Sequence, residues 1–220
     1  MFPLLISIKI VTVSLLIAFM LTLFLGWKLS KTNEKYKKII ECIIMIPIFF
    51  PPSAIGYLSL VILGRNGFVG KIFYYFFQER IIFTWGAGVI TTIIVILPIM
   101  YINIKNGFSS IDDIYIEVGK EMGASKFQIL KFIQIPMMKK NIYSSLILGF
   151  GRAFGEFGAI ILVAGNIPKK TQTMTMALYS AVETGDYSEA NKIILIIGII
   201  SLITLVLYSY VFNEKNRYEN

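Results

Sequence analysis

SSIDDIYIEVGKEMGASKFQILKFIQIP, residues 109–136, is a polar interlude in an otherwise apolar chain, and its reading decides the fold. Its first half predicts an amphipathic helix. Ile111, Ile114, Tyr115, Val118 and Met122 recur at helical spacing on one face, while Asp112, Asp113, Glu117, Lys120 and Glu121 lie mainly on the other. Ser109 or Ser110 is placed to cap it, each with an aspartate three residues on. Gly123 is expected to stop the helix. Ser125 opens a second one, with Gln128 at the capping-box position, and Pro136 is expected to close it. Two short helices around a glycine turn suit an amphipathic element lying on lipid and equally a docking element for a partner.

Outward from this interlude the chain is built of long apolar blocks. Of its 220 residues 56% are hydrophobic and only 15% charged, and its mean hydropathy is +0.72. A soluble domain of this length needs more polar surface than that. Five blocks, about 4–27, 39–63, 81–104, 142–165 and 191–212, each approach the ~20 apolar residues a bilayer requires. The first lacks a basic leader and a small-residue cleavage site, so it reads as a retained helix. No internal repeat is visible, and the expectation is a single all-α integral membrane domain, 1–220, with about five transmembrane helices. The one cysteine, Cys42, excludes an intrachain disulfide and a cysteine-rich metal site. With no histidine, His-based triads and the usual zinc sites are excluded too.

Net charge is +8, and in a membrane protein its placement matters more than its size. Loop 28–38 holds five lysines, loop 105–141 six more, and the tail adds Lys215 and Arg217. Lys9, Arg65, Lys71, Arg80, Lys169, Lys170 and Lys192 fall on the other side. Thirteen against seven predicts the N-terminus outside and the C-terminus in the cytoplasm.

Two features mark the spans as more than anchors. Pro47, Pro51 and Pro52 crowd into six residues of the second block, and proline removes a backbone donor and disturbs a helix. In lipid such a break persists only where protein or a watery cavity satisfies the freed groups, so it reads either as part of a pathway or as a packing kink. Pro98 in the third block reads as packing. In the fourth block Arg152 and Glu156 stand one turn apart, where a charge costs ~2.5–3.5 kcal/mol on insertion scales. Two charges are therefore expected to face away from lipid, and their spacing puts them on one helix face, where they can pair. Gly151, Gly155 and Gly158 leave room for a neighbouring backbone, Gly151 and Gly155 at a close-packing interval. The pair reads either as a static bridge between helices or as a pair that faces a pathway between them.

The chain lacks a phosphate-cradling loop. Its nearest candidate is Gly70-Lys71, where Arg65 occupies the first glycine position and Ile72 the hydroxyl position. This chain is therefore expected not to bind ATP by that mechanism.

Residues 117–136 resemble the EAA loop of ABC-importer permeases. That loop has a glutamate followed by two small residues, a glycine, and an Ile-x-Leu-Pro ending. Here these are Glu117, Val118 and Gly119 (for two alanines), Gly123, then Ile133, Ile135 (for leucine) and Pro136. Ala124 and Ser125 fill the turn. The resemblance implies a type I permease fold in which loop 105–141 forms the coupling helices that seat on an ATPase. The stretches PIFFPPSAIGYLSLVILGRNGFVG, FTWGAGVI and GRAFGEFGAIILVAGNIPKKTQTMTMALYSAVETGD resemble molybdate-type permeases, so the likeness runs from about residue 40 to about 190. Sulfate permeases share GEFGA and the Gly165-Asn166 pair, whereas TQT (Thr171, Gln172, Thr173) and ALYSAVETGD are closer to the molybdate type. Lys170 matches a basic position, and Lys169 stands where the family has glycine.

The resemblance implies a bacterial or archaeal cell-membrane permease that forms an oxyanion path as a homodimer, in which Arg152 would add positive potential to the path while Glu156 holds it and prevents trapping of the anion. Its implied partners are two cytoplasmic ATPase subunits, which would carry ATP and Mg, and an external molybdate-binding protein. It implies no cofactor in this chain, no catalytic or metal residue and no nucleic-acid partner. The alternatives are a sulfate or tungstate permease of the same type and, remotely, an intramembrane enzyme using Glu156 as a base.

Overall fold

A computed structural model describes residues 2–213, and Lys215 and Arg217 of the basic tail lie outside the described residues. Twelve α-helices are described and no strand. Three of them are long and apolar enough to cross a bilayer alone: α1 (Phe2–Leu29), α5 (Trp85–Ser109) and α12 (Tyr187–Asn213). Two further pairs meet that criterion only together: α2 (Glu34–Phe49) with α3 (Pro52–Leu63), bent by 112°, and α9 (Lys139–Phe154) with α10 (Gly158–Ala164), bent by 62°. Three of the five expected spans are thus straight helices, and the other two are bent pairs, each with the geometry of a broken span or a re-entrant loop. The rest are α4 (Phe68–Phe77), α6 (Asp113–Glu121), α7 (Lys126–Ile129), α8 (Ile135–Met137) and α11 (Met174–Glu183).

The centre of the bundle is α5, which runs parallel to α1. Ser14 Oγ donates to the Val89 carbonyl at 3.2 Å, and twelve residues further on Gly26 faces Ile104 and Phe108. The buried face of α1 is a row of small residues, Ser14, Ala18, Thr22 and Gly26, at four-residue intervals. Such a row suits a bilayer, where close van der Waals packing replaces the hydrophobic drive between helices. The outer face of α1 carries Leu5, Leu16, Met20 and Phe24, all exposed as lipid-facing residues should be. The Thr91 and Thr92 hydroxyls donate to the Ala87 and Gly88 carbonyls one turn back, so burial leaves them satisfied. Pro98 sits buried inside an unbroken α5, as a packing residue.

α9 packs against both helices, Gly149 facing Leu15 of α1 and Met100 of α5. Ser145 Oγ donates to the Met100 carbonyl and Ser144 Oγ to Asn103 Oδ1, each at 3.2 Å. At one end of α5, Tyr101 Oη and Lys105 Nζ converge on Glu41 of α2, at 3.1 and 2.7 Å. This cross-tie between the second and third spans left no mark in the sequence pattern.

The fold brings the two lysine-rich stretches to one end of the bundle. Ile104, Phe108, Ile111, Leu130 and Met138 form one apolar cluster against which Trp27 packs, seating loop 28–38 beside the 105–141 interlude. The opposite end carries α4, whose Phe73 packs on Leu63, Ile81 and Ala87 while Phe68, Tyr75 and Phe76 stay exposed. That exposure fits an aromatic belt at a membrane interface.

Candidate functional site: the paired helix breaks and the polar interlude

The second span breaks because of its proline pair. The residue before a proline is driven extended, and Phe50 has φ −94, ψ 139, which ends α2. Pro52 then occupies the first turn of α3, where its missing donor costs nothing. Pro47 breaks nothing; it rides inside α2.

The fourth span breaks at Gly155, Glu156 and Phe157, so Arg152 and Glu156 do not share one helix face as their spacing suggested. They still pair, with Arg152 Nη1 2.6 Å from Glu156 Oε2. The Glu156 side chain is 1% exposed and that of Arg152 32%. The break gives Glu156 two further tasks. Its Oε1 accepts the Ala159 N–H at 2.8 Å, holding a free donor at the start of α10, and its backbone carbonyl accepts the Thr175 hydroxyl at 3.0 Å. Glu156 is therefore a buried junction joining α9, α10 and the start of α11, with the partly exposed Arg152 as counterion.

The two breaks meet. A Cβ on Gly158 would lie 3.3 Å from Pro52 Cβ and 3.5 Å from the Ser53 nitrogen. One turn along α3, a Cβ on Gly56 would lie 2.7 Å from the Ala159 carbonyl oxygen, so α3 and α10 touch backbone to backbone there. Gly151 and Gly155, read as a close-packing interval, do not meet a neighbouring backbone within the described chain. Gly151 faces Thr204 Cγ2 at 3.5 Å and Gly155 only its own preceding turn. Gly158 and Gly56 supply the close approach instead.

Beyond α10 the chain folds back. Gly165 has φ 68, and Thr171 Oγ1 donates to its carbonyl at 3.0 Å. Thr171 Oγ1 also accepts the Ile167 N–H, and the Ile167 carbonyl accepts the N–H groups of Lys170, Thr171 and Gln172. Lys169 adopts φ 65, a left-handed conformation that glycine takes at less cost. Thr173 caps α11 by accepting the Met176 N–H. Thr175 lies at the Glu156 end of α10, while Asn166, at its other end, donates to Ser180 Oγ at 2.6 Å. Hence α11 and α10 run side by side in the same direction, both starting at the break.

In the polar interlude, α6 is capped by Asp112, which accepts the Ile114 N–H at 3.1 Å, and not by Ser109 or Ser110. It ends in a Schellman motif: the Ala124 N–H reaches the Gly119 carbonyl, the Gly123 N–H reaches that of Lys120, and Gly123 has φ 80. The expected capping box follows, Ser125 accepting the Gln128 N–H and Gln128 accepting that of Ser125. Pro136 does not end the second helix. α7 runs into a π-helical segment, Leu130–Gln134, and on through α8, and the axis breaks only at Met138. A wider turn just ahead of the proline leaves room for its ring and missing donor. Gly119 is buried against Ile129 and Ile133, a Cβ there lying 2.9 Å from Ile133 Cδ1. Of the apolar face read from periodicity only Ile111 is buried. Ile114, Tyr115, Val118 and Met122 are exposed, as is Glu117, and Phe127 and Phe132 join them from the second helix.

Residues 14–215 match the family model described as the binding-protein-dependent transport system inner membrane component. This chain belongs to that family. Among the family's curated members it is 34% identical to the molybdenum transport system permease protein ModB of Haemophilus influenzae, over 96% of this chain and 93% of that one. Escherichia coli K12 ModB is 28% identical over 92% and 89%. The sulfate transport system permease protein CysT of Salmonella typhimurium is more distant, at 25% over 88% and 72%. The fold is also that of a subunit in the crystal structure of a bacterial alginate ABC transporter in complex with a pentasaccharide-bound periplasmic protein. There the TM-score is 0.75, the identity 19% and the coverage 98% of this chain and 78% of that one. An inner membrane transport component with all-helical spans is thus the class of this family member.

Proposed function

We propose that this chain is the permease subunit of an ABC importer for molybdate. The observation that carries the substrate is the ranking of its relatives: permeases named for molybdenum transport match at higher identity than those named for sulfate, over nine-tenths of the chain. The chain works as a homodimer around one path, with ATP and Mg on two separate cytoplasmic subunits and the anion delivered by an external binding protein.

The exposed apolar patch of Ile114, Tyr115, Val118 and Met122 supports docking of the interlude to those ATPases. Such a patch, rimmed by Glu117, Lys120 and Glu121, is the kind of surface that partners cover. The gathering of both lysine-rich stretches at the interlude's end supports a cytoplasmic placement for that end and an external N-terminus. The paired breaks support a path along α3, α10 and α11, because irregular backbone at membrane depth is tolerated where it lines a cavity or is buried in protein. Arg152, one-third exposed beside a fully buried Glu156, supplies positive potential that the carboxylate keeps in place without letting the anion bind tightly.

Uptake of radiolabelled molybdate by cells with and without the chain tests the proposal. Loss of high-affinity molybdate uptake, with sulfate uptake intact, is the expected result; the reverse selectivity would assign the sulfate reading instead.

A further inference from the structure

At the lysine-rich end of the bundle, between the last turn of α1, α2, α5 and the polar interlude, lies a cavity of about 500 Å³. Five lysines line it, Lys31, Lys37, Lys105, Lys120 and Lys126, against one carboxylate, Asp113. Two of the five are already partnered, Lys37 by Glu34 at 3.1 Å and Lys105 by Glu41 at 2.7 Å. Among the described residues no carboxylate lies in ion-pair range of the other three, and they converge from three separate elements. Partial desolvation, then the charges of Lys126 and Lys120, hold the Lys31 ammonium below the usual lysine pKa. Three like charges are thus gathered where no carboxylate of the described residues pairs with them, which costs stability unless an anion is held there.

A second observation refines the chemistry. Gln134 lines the same cavity from the π-helical segment, is 2% exposed, and its Oε1 has no hydrogen-bond partner. A buried acceptor left unmet costs about 1–3 kcal/mol, and a bare oxyanion cannot meet it, having no donor of its own. A ligand with both an anionic group for the lysines and a hydroxyl for Gln134 satisfies both. The volume is on the scale of small organic ligands rather than of a bare ion.

We propose that this cavity binds a phosphate ester that carries a free hydroxyl, the lysines taking the phosphate and Gln134 accepting from the hydroxyl. The same chemistry is offered by the headgroup of an anionic glycerophospholipid and by a free glycerol phosphate. A basic pocket beside the end of a span suits the lipid, whose headgroup sits at that depth.

Trp27 makes the site readable, since the Lys31 ammonium lies 4.5 Å from its ring centre. With Trp85 replaced by Phe, Trp27 is the one remaining tryptophan. Purified permease in phosphatidylcholine nanodiscs is titrated with glycerol 3-phosphate, with methyl phosphate, or by exchange into phosphatidylglycerol nanodiscs, following Trp27 fluorescence. A saturable change with glycerol 3-phosphate assigns a soluble ester, and one confined to phosphatidylglycerol assigns the lipid headgroup; either supports the site. Lys31→Gln combined with Lys126→Gln should weaken binding roughly tenfold or more. Gln134→Leu should erase the preference for glycerol 3-phosphate over methyl phosphate. If the double variant melts early without ligand, Lys120→Gln alone carries the test. No saturable change with any probe, or unchanged affinity in a variant that melts normally, would overturn the proposal. None of these readouts involves transport, so the outcome is independent of the molybdate reading.

Discussion

At the scale of single residues, Glu156 and Gly123 carry the sharpest consequences. Glu156 accepts from Arg152 and from the Ala159 N–H through different carboxylate oxygens. Glu156→Gln keeps an oxygen for the Ala159 N–H and loses the charge, whereas Glu156→Ala loses both and strands a buried donor at about 1–3 kcal/mol. Melting temperatures in detergent should therefore fall in the order wild type, Gln, Ala. Equal melting of the Gln and Ala variants would remove Glu156 from the junction. Swapping the charges of 152 and 156 is not a neutral exchange, because arginine at 156 has no oxygen for Ala159.

Gly123 is a different case. Its φ of 80 penalises most side chains by about 1–2 kcal/mol, asparagine least, yet a Cβ there would meet nothing within 4 Å. Gly123→Leu should loosen the turn and reduce co-purified ATPase several-fold while the spans stay inserted, and Gly123→Asn should behave close to wild type because asparagine tolerates this conformation. Wild-type ATPase recovery with Gly123→Leu would contradict the coupling role of the turn. This glycine was legible in the sequence because a helix stop has a strong local signature. Asp112 as the cap was not, since Ser109, Ser110 and Asp112 are all good caps and tertiary packing of Ile111 chose among them.

At the scale of elements, the account rests on the crossing of α3 and α10. Gly56 has its would-be Cβ 2.7 Å from the Ala159 carbonyl oxygen and 2.9 Å from Ala159 Cα, both backbone atoms that cannot rotate away. Gly56→Ala should force the two half-spans apart and destabilise by about 1–3 kcal/mol. Thermal melting reads that loss, and transport should fall with it because both breaks share the contact. A variant that melts and transports normally would mean that the crossing is not a fixed joint.

The five apolar blocks could be read from composition, and the proline break from steric rules that act between neighbours. The break at Gly155 to Phe157 could not, because each residue there is compatible with a helix. It is fixed by contacts distant in sequence, the Thr175 hydroxyl on the Glu156 carbonyl and Pro52 against Gly158. The fold-back of residues 165–173 hides for the same reason. Its turn uses Lys169 in a conformation that composition assigns to glycine.

At the scale of the whole molecule, the apolar face of α6 shows what sequence periodicity can and cannot decide. Ile114, Tyr115, Val118 and Met122 do lie on one helical face, but that face points outward, because Gly119 is what α6 presents to Ile129 and Ile133. Periodicity finds a face and does not say what covers it. The proposed orientation makes a second whole-molecule prediction. In a Cys42→Ser background, a cysteine at Lys35 should react with an impermeant reagent only from the cytoplasm, and one at Gln172 only from outside; the opposite pattern would invert the molecule.

The central claim is ATP-driven passage of molybdate through a path built by this chain. Proteoliposomes holding the chain with its ATPase subunits and external binding protein, loaded with ATP and given radiolabelled molybdate, test it most directly. The account predicts molybdate accumulation that needs ATP and the binding protein and survives an excess of sulfate. Accumulation without ATP, none at all in a complex that hydrolyses ATP, or transport of sulfate in preference to molybdate would contradict it.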